Sequence, residues 1–551
     1  MIQALDIGIA VGYVILILCI GLWYGNRHRK RSNSNRANEY FLAGQTLKWP
    51  AIGLALFATN ISTVHLVSLA QSGFDTGLLN GNFEWMAAFT LVLLALFFAP
   101  FYIRSGVSTL PDFLERRYDR ASRDWLAVVS VISAIIVHIA FSMLAGGIVL
   151  KTLFGFNMYA SVMVIAIITA IYTIVGGLKA VVVTESIQTV VLLVGAIIIS
   201  VAAYSKMGGW DLMVDVLEKH HEMDKLSMLR PGGDDSGMPW YAVFLGYPVI
   251  GIWYWCADQT IVQRVLGAKD ENHARVGPLF CGFLKILPVF IFVLPGLLAY
   301  TLYRTDVLDL SSITTLVDGK AVIESKGIYT LLITQLLPTG LTGILVAALL
   351  SGLMSQIAGA LNAISTLVSY DLYQRFIPSV SDQKLILIGR VSGMIALLVS
   401  LSLLPLLNSY ESIFVGLNDI IAHIAPPITC VFVLGVFWKK ASAISAKWTL
   451  WIGSFAGCVV FAWSKCFATS WIGEIPFMMV AFYLFCFCVA IQVAFTYTFP
   501  DQQVNDKLRE QLSWASPLDP IRSPGWSGLG NYKVLSVLIL LMMVVLYWIF
   551  K

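Results

Sequence analysis

The residues best suited to chemistry lie where a long apolar run is interrupted. The stretch from Phe244 to Lys285 begins as an apolar segment and is then broken by glycine and proline. Backbone groups freed by such a break in a membrane need partners inside the protein or in a water-filled cavity. Secondary transporters build their substrate sites on broken helices near the bilayer midplane. The stretch therefore predicts a substrate-binding broken helix, followed by a helix that buries Lys285. Its polar and aromatic residues are Trp253, Tyr254, Trp255, Asp258, Gln259, Gln263 and Arg264.

Other apolar runs also contain polar side chains. An ionisable group inside a membrane helix costs about 2.5–3.5 kcal/mol on insertion scales and marks a substrate or ion pathway. A neutral polar substrate such as a sugar needs donors and acceptors for its hydroxyls and an aromatic face for its ring. Tyr254 and Trp255 supply that face. Two pairs could instead have a structural role: Glu84 and Lys285 could neutralise each other, and Asp258 could pair with Arg264. The predicted donors and acceptors are Asn60, His65, Glu84 and Lys285.

The composition identifies the class of protein. Of the 551 residues, 58% are hydrophobic and 12% are charged, whereas soluble domains carry about 25% charged residues. The chain is therefore expected to be a polytopic membrane protein. The net charge of +4 is too small to indicate a nucleic-acid partner, and no residue constellation indicates an enzyme or an organic cofactor.

Fourteen segments match the roughly 20 apolar residues that a membrane-spanning helix needs. Arginine and lysine are concentrated in every second loop, starting with the loop after the first segment, and this bias marks cytoplasmic loops. Both termini are therefore predicted to lie outside the cell. The predicted spans are 4–24, 48–70, 80–104, 124–150, 157–176, 183–205, 240–263, 276–301, 339–368, 384–407, 410–437, 447–465, 470–499 and 533–550.

The spans group into two blocks of five helices, each opening with an interrupted apolar segment. Interrupted segments at matching places in two halves are typical of inverted-repeat transporters. The predicted fold is an all-α membrane protein with a LeuT-type core of two inverted five-helix repeats. Its divisions are a first helix with a basic cytoplasmic loop (1–47), the first repeat (48–205), an outer loop (206–239), the second repeat (240–437) and three peripheral helices with a cytoplasmic linker (438–551).

Four motifs lie in the predicted spans and loops: YWCADQTIVQR at 254–264, GGLKAVVVTESIQ at 176–188, NFEW at 82–85 and STLVSYDLY at 365–373. They resemble motifs of the sodium/glucose cotransporters, the sugar and inositol branch of the sodium:solute symporter family. The resemblance covers roughly residues 1–500. It implies Tyr254 as an inner gate beneath the sugar, and Asn418 where the family carries glutamine. The implied substrate contacts are Asn60, His65, Glu84, Tyr254, Trp255, Lys285 and Asn418.

The resemblance also implies sodium sites. Backbone carbonyls of Ala58 and Ile61, the small residue Gly352 and the hydroxyl of Ser355 match the principal site, while Gln356 replaces its second serine. Gln356 can present either its amide oxygen or its NH2 group to the ion. A second site in some members needs an acid, here Glu185, and two hydroxyls. Ala358 and Gly359 occupy those hydroxyl positions, so this second site is expected to be absent.

Together these features predict a sodium-coupled symporter that carries a hexose-like sugar into the cell by alternating access. It is expected in the plasma or inner membrane, surrounded by lipid. Sodium-independent or proton-coupled transport of a sugar or a polyol such as inositol is the alternative. A sugar sensor built on a transporter fold is a further alternative, although the chain has no long soluble segment that would form an output domain.

Overall fold

The computed structural model describes residues 3–29, 36–234, 236–317, 320–408, 413–467, 474–501, 512–516 and 518–551. Nearly all of its regular structure is helical. The α-helices, numbered α1 to α24 in chain order, are Ala4–Arg29, Arg36–Leu42, Trp49–Asn60, Thr63–Thr76, Asn82–Leu93, Ala99–Ser105, Leu110–Arg117, Arg120–Ser133, Phe141–Phe154, Met158–Met207, Trp210–Lys219, Trp240–Ile252, Gln259–Leu266, Glu271–Leu284, Leu294–Arg304, Ile328–Leu336, Leu341–Thr366, Gln374–Phe376, Asp382–Leu407, Ile413–Phe437, Ala443–Cys466, Phe477–Thr498, Asp519–Arg522 and Tyr532–Ile549.

Shorter elements connect these helices. Five π-helical segments continue neighbouring α-helices, at Leu94–Phe98, Ala134–Ala140, Trp253–Ala257, Val289–Val293 and Leu367–Tyr373. Single 3₁₀ turns are found at Ala43–Gln45, Gly77–Gly81, Met223–Leu226, Ser311–Ile313, Ser325–Gly327 and Gly528–Gly530. Strands β1 (Thr314–Val317) and β2 (Lys320–Ile323) pair antiparallel, with Thr314 opposite Ile323. This hairpin lies in a polar loop and is rich in β-branched residues, which favour strands; it adds a small β element to the predicted helical fold.

Eleven helices among the described residues are long and apolar enough to cross a membrane, which agrees with a multi-pass membrane protein. Polar residues break two predicted spans, 48–70 and 240–263, into shorter helices. Two others, 157–176 and 183–205, form the single run α10, in which Gly177 has φ 63° and ψ −168°. The predicted cytoplasmic loop around Lys179 is thus a kink, because glycine adopts this left-handed conformation without steric cost. The total of fourteen spans stays a prediction.

The first break separates α3 from α4. Ile61 and Ser62 have extended backbone, so the last carbonyls of α3 and the first N–H groups of α4 lose their intrahelical partners. The hydroxyl of Ser62 accepts from the N–H of Val64 (3.2 Å), and Nδ1 of His65 accepts from the N–H of Ser62 (3.3 Å). This capping box explains why a new helix begins at Thr63.

The second break separates α12 from α13. The π-helical segment Trp253–Ala257 extends α12, and Asp258 then leaves helical conformation (φ −89°, ψ 122°). Its carboxylate caps α13 by accepting from the N–H of Thr260 at 2.6 Å. Asp258 is therefore well suited to start a helix here, as expected for an N-cap residue.

Helix α17 crosses the centre of the molecule beside the first break. In its apolar stretch 94% of the residues are buried, whereas peripheral spans such as α1 and α24 are mostly exposed to the surroundings. Gly352 of α17 lies directly against the backbone of Ser62 and Thr63, where a Cβ atom would have no room. This small residue lets the central helix contact the unwound backbone.

Candidate functional site

A small cavity with several polar residues in its lining lies between the two helix breaks. All seven residues predicted to contact substrate line the cavity, although they come from five separate parts of the chain. They are Asn60, His65, Glu84, Tyr254, Trp255, Lys285 and Asn418.

An ion pair forms one wall of this cavity. Nζ of Lys285 contacts Oε2 of Glu84 and donates to Oδ1 of Asn60 at 2.6 Å. Both charged side chains are almost fully buried, with 1% and 2% of their side-chain surface exposed. The two charges neutralise each other, which satisfies the condition for burying them. The lysine also lies 5.6 Å from the centre of the Trp255 ring, within the range of a cation–π contact.

His65 presents a donor to the same wall. Its Nδ1 accepts from the backbone N–H of Ser62, so in the neutral ring the proton is on Nε2. Nε2 lies 4.0 Å from Oε1 of Glu84. The distance is too long for a direct hydrogen bond, and it leaves the N–H and the carboxylate available to a hydroxyl group placed between them.

The aromatic wall comes from the π-helical part of the second broken helix. Tyr254 and Trp255 are successive residues whose rings are 5.3 Å apart and inclined by 71°. A π-helical turn changes the direction of successive side chains relative to an α-helix, and such turns are frequent at functional sites. Here both rings line the cavity.

Four residues predicted to surround sodium meet behind this cavity. The hydroxyl of Ser355 donates to the carbonyl of Ala58 (2.8 Å) and to that of Gly352 (3.2 Å). Ala58 and Ile61 lie at the end of α3, where carbonyls lack helical partners. The structure therefore places Ser355 against Ala58 and Gly352 against the backbone that follows Ile61, with all four predicted residues buried.

Gln356 turns toward a histidine that the sequence analysis did not include. Its Nε2 lies 2.7 Å from Nδ1 of His138, and Nε2 of His138 lies 2.9 Å from Oδ2 of Asp258. The expected pairing of Asp258 with Arg264 is wrong, because the helix cap at Asp258 directs its carboxylate toward His138 instead. Among the described residues, neither Lys nor Arg forms an ion pair with Asp258.

Glu185, considered as a sodium ligand, pairs with an arginine instead. Its carboxylate contacts the guanidinium of Arg264 at 2.5 and 3.3 Å and accepts from the hydroxyl of Thr59 at 3.0 Å. Neither charged side chain has any exposed surface. Gly359 lies against the guanidinium, and a Cβ atom there would displace it. The position considered for a second sodium ion is therefore occupied by a fixed cation.

The main residue that sequence reasoning missed is His138. It is fully buried in the π-helical segment Ala134–Ala140 and lines the cavity. A histidine flanked by apolar residues within a span is itself a signal of function. That signal was present in the run SAIIVHIAFS, whereas the contact with Gln356, 218 residues away, was not visible in the sequence.

Comparison with known proteins agrees with this geometry. The profile of the sodium:solute symporter family matches residues 40–453, which include both helix breaks and the whole cavity. The chain belongs to the sodium:solute symporter family. The proposed resemblance is thereby confirmed at the level of the family.

Individual members of this family are similar over most of the chain. Sodium/glucose cotransporter 2 of Rattus norvegicus is 34% identical over 476 residues, covering 82% of this chain and 70% of its own. Sodium/glucose cotransporter 1 of Ovis aries is 33% identical, covering 83% and 71%. A solved structure of a Na⁺-coupled sialic acid symporter superposes with a TM-score of 0.77 at 21% identity, covering 91% of this chain and all of its own. This last likeness shows the shared fold.

Proposed function

We propose that the protein is a sodium-coupled symporter that carries a hexose-like sugar into the cell by alternating access. The cavity between the two helix breaks carries this proposal, because it combines charged, amide and imidazole groups with two aromatic faces. The names of the sodium/glucose cotransporters that the chain resembles support the same substrate class.

The cavity chemistry favours a neutral polyhydroxylated substrate. Lys285 and Glu84 cancel each other's charge, so a charged substrate would leave one charge unbalanced. A hydroxyl group can donate to the Glu84 carboxylate and accept from Lys285 or His65, and hydrogen bonds to charged groups contribute about 1.5–3 kcal/mol each. Tyr254 and Trp255 provide apolar faces for the C–H surface of a ring, with Tyr254 as the inner gate. Asn418 closes the cavity from α20.

The distribution of buried charge favours a coupling cation. Lys285 compensates Glu84 and Arg264 compensates Glu185. The NH2 group of Gln356 faces Nδ1 of His138, and Nε2 of His138 faces Asp258. Among the described residues, Asp258 forms no ion pair with a lysine or an arginine. A sodium ion held by the carbonyls of Ala58 and Ile61, by Ser355 and by Gln356 would supply the cation that Asp258 lacks.

The number of coupling ions follows from the Arg264–Glu185 pair. Because a guanidinium already neutralises Glu185, we assign one sodium ion per transport cycle and no ligand role to Glu185. Gly352 contributes to the remaining site by letting α17 approach the unwound backbone. No organic cofactor enters this scheme, and its steps form and break no covalent bond.

The proposed topology completes the scheme. We assign two inverted five-helix repeats to 48–205 and 240–437, with 14 spans in all, both termini outside and the basic first loop in the cytoplasm. The loop at 206–239 lies outside, and residues 438–551 form the peripheral helices. The protein would thus act in the plasma or inner membrane, where the exposed apolar faces of its peripheral helices meet lipid.

The decisive experiment measures uptake of radiolabelled hexoses and inositol into proteoliposomes. Vesicles receive an inward sodium gradient, an inward proton gradient or no gradient, with choline replacing sodium at constant ionic strength. Sodium-driven accumulation of a hexose above its equilibrium level is expected. Glu84→Gln, which keeps the size of the side chain, serves as the control with weakened sugar binding.

Two results would overturn the proposal. Equilibration of sugar that is indifferent to sodium would identify a uniporter, and accumulation driven by protons would identify a different coupling ion. Accumulation of inositol in preference to every hexose would retain sodium coupling and change the substrate to a polyol.

A further inference from the structure

The amide of Gln356 is held from one end only. Its NH2 group is 2.7 Å from Nδ1 of His138, whereas its Oε1 is buried and has no hydrogen-bond partner among the described residues. Only 4% of the residue is exposed. A buried acceptor without a partner is unfavourable, so this oxygen is suited to bind a ligand.

A chain of three contacts fixes which end of the amide is free. Oδ1 of Asp258 accepts from the N–H of Thr260, which holds the carboxylate against the start of α13. Oδ2 lies 2.9 Å from Nε2 of His138, and Nδ1 on the other side of the ring lies 2.7 Å from the NH2 group of Gln356, which can only donate. Since oxygen and nitrogen lie at opposite ends of a planar amide, His138 directs the oxygen of Gln356 away from itself.

This arrangement resolves the two possibilities for Gln356 at the sodium site. An NH2 group facing the carbonyls of Ala58 and Ile61 would repel a cation. With that group bound to His138, the end of the amide that is left for an ion is its oxygen, the type of ligand that hard cations prefer. Ser355, the neighbouring residue on α17, supplies the hydroxyl.

We propose that His138 and Asp258 are positioning residues for the coupling cation: they hold the NH2 group of Gln356 and thereby present its oxygen to sodium. The proposal rests on the sodium-coupled function proposed above. It assigns no direct ion contact to either residue, and it makes the pair His138 and Gln356 a functional equivalent of a single serine hydroxyl.

The test compares two substitutions of similar shape. His138→Asn keeps an acceptor close to the position of Nδ1, whereas His138→Leu removes it. Each is made in the native chain and together with Gln356→Ser, in which a hydroxyl needs no orienting partner. Sodium binding is read without sugar, from the rise in unfolding temperature of the purified protein as NaCl replaces choline chloride at constant ionic strength. The sodium dependence of hexose uptake is measured in parallel.

The effect of His138 substitutions on sodium affinity is expected to depend on the amide of Gln356. His138→Leu should weaken apparent sodium affinity about tenfold in the native chain, the equivalent of one hydrogen bond of roughly 1.4 kcal/mol. His138→Asn should change it less than about twofold, and His138→Leu in the Gln356→Ser chain should also change it less than about twofold.

Each other outcome contradicts the inference in a recognisable way. Equal losses for Leu and Asn, or equal losses with and without Gln356→Ser, would show that His138 acts on packing alone. Loss of hexose affinity at unchanged sodium affinity would make His138 and Gln356 substrate contacts. If sodium neither raised the unfolding temperature of the wild-type protein nor drove its hexose uptake, the proposed function would be overturned, and the positioning role with it.

Discussion

Two buried ion pairs among the described residues each join a basic and an acidic side chain, and their surroundings differ. Arg264 and Glu185 are sealed between α13, α10 and α3, with their polar atoms bonded to each other and to Thr59 and Thr260. Lys285 and Glu84 lie beside the cavity, where the carboxylate also faces His65 at 4.0 Å. One pair is fully satisfied within the protein, and the other keeps capacity for a further partner.

The difference separates a structural role from a binding role for the same chemistry. A guanidinium binds a carboxylate through a rigid planar fork and cannot readily lose its proton, whereas an ammonium group on a flexible stem adjusts to a ligand. Arginine is thus suited to the sealed pair and lysine to the cavity pair. The most informative variants break each pair separately.

The largest expected effect is on folding, from Arg264→Leu. It leaves the Glu185 carboxylate buried without a cation, which costs about 3–5 kcal/mol in comparable pairs. We expect a strong fall in the unfolding temperature in detergent and in the amount of protein that elutes as a monodisperse peak. Replacing both partners, Arg264→Leu with Glu185→Leu, should recover most of the stability because neither charge remains. If the double variant were as unstable as the single one, the attraction between the two charges would outweigh the cost of burying them.

The second prediction concerns the cavity pair, where the corresponding single and double substitutions should affect transport. Glu84→Gln keeps the volume and removes the acceptor charge, so the apparent KM for sugar should rise about 10- to 100-fold. The protein should lose less stability than Arg264→Leu does, because Lys285 lines the cavity and keeps its hydrogen bond to Asn60. Adding Lys285→Met to Glu84→Gln removes the unpaired charge, but transport by this double variant should stay impaired. Recovery of uptake in that double variant would mean that the cavity pair is structural, like the sealed one.

Sequence reasoning found the cavity pair more readily than the sealed pair. Interrupted apolar runs and family motifs brought all seven cavity residues together correctly, because helix breaks and polar residues inside spans are local signals. Partners of Glu185, Asp258 and Gln356 were missed, since contacts such as that of His138 with Gln356 join residues 218 apart. The kink at Gly177 was read as a loop for a related reason: a glycine pair with a nearby lysine is also typical of a turn.

The third prediction uses Asp258, the buried carboxylate without a cationic partner among the described residues. Asp258→Asn keeps the helix cap, since asparagine caps about as well as aspartate, but it removes the negative charge and turns an NH2 group toward Nε2 of His138 in place of the carboxylate oxygen. We expect the sodium concentration for half-maximal uptake to rise about tenfold or more at nearly unchanged unfolding temperature. Sugar affinity at saturating sodium should stay within a few-fold. An unchanged sodium dependence would show that this charge does not attract the coupling ion.

The smallest expected effect is a change of substrate preference from Asn418→Gln. Asn418 lines the cavity from α20 and is almost fully buried, so one additional methylene moves its amide toward the substrate. One neutral hydrogen bond contributes about 0.5–1.5 kcal/mol, which corresponds to roughly a 2- to 10-fold change in affinity for hexoses that differ at a single hydroxyl. Competition of unlabelled hexose epimers against labelled sugar measures this preference. A uniform change for all epimers would indicate altered cavity volume, whereas a reordered series at constant sodium dependence would identify the residue that reads the hydroxyl pattern beside the ion pair.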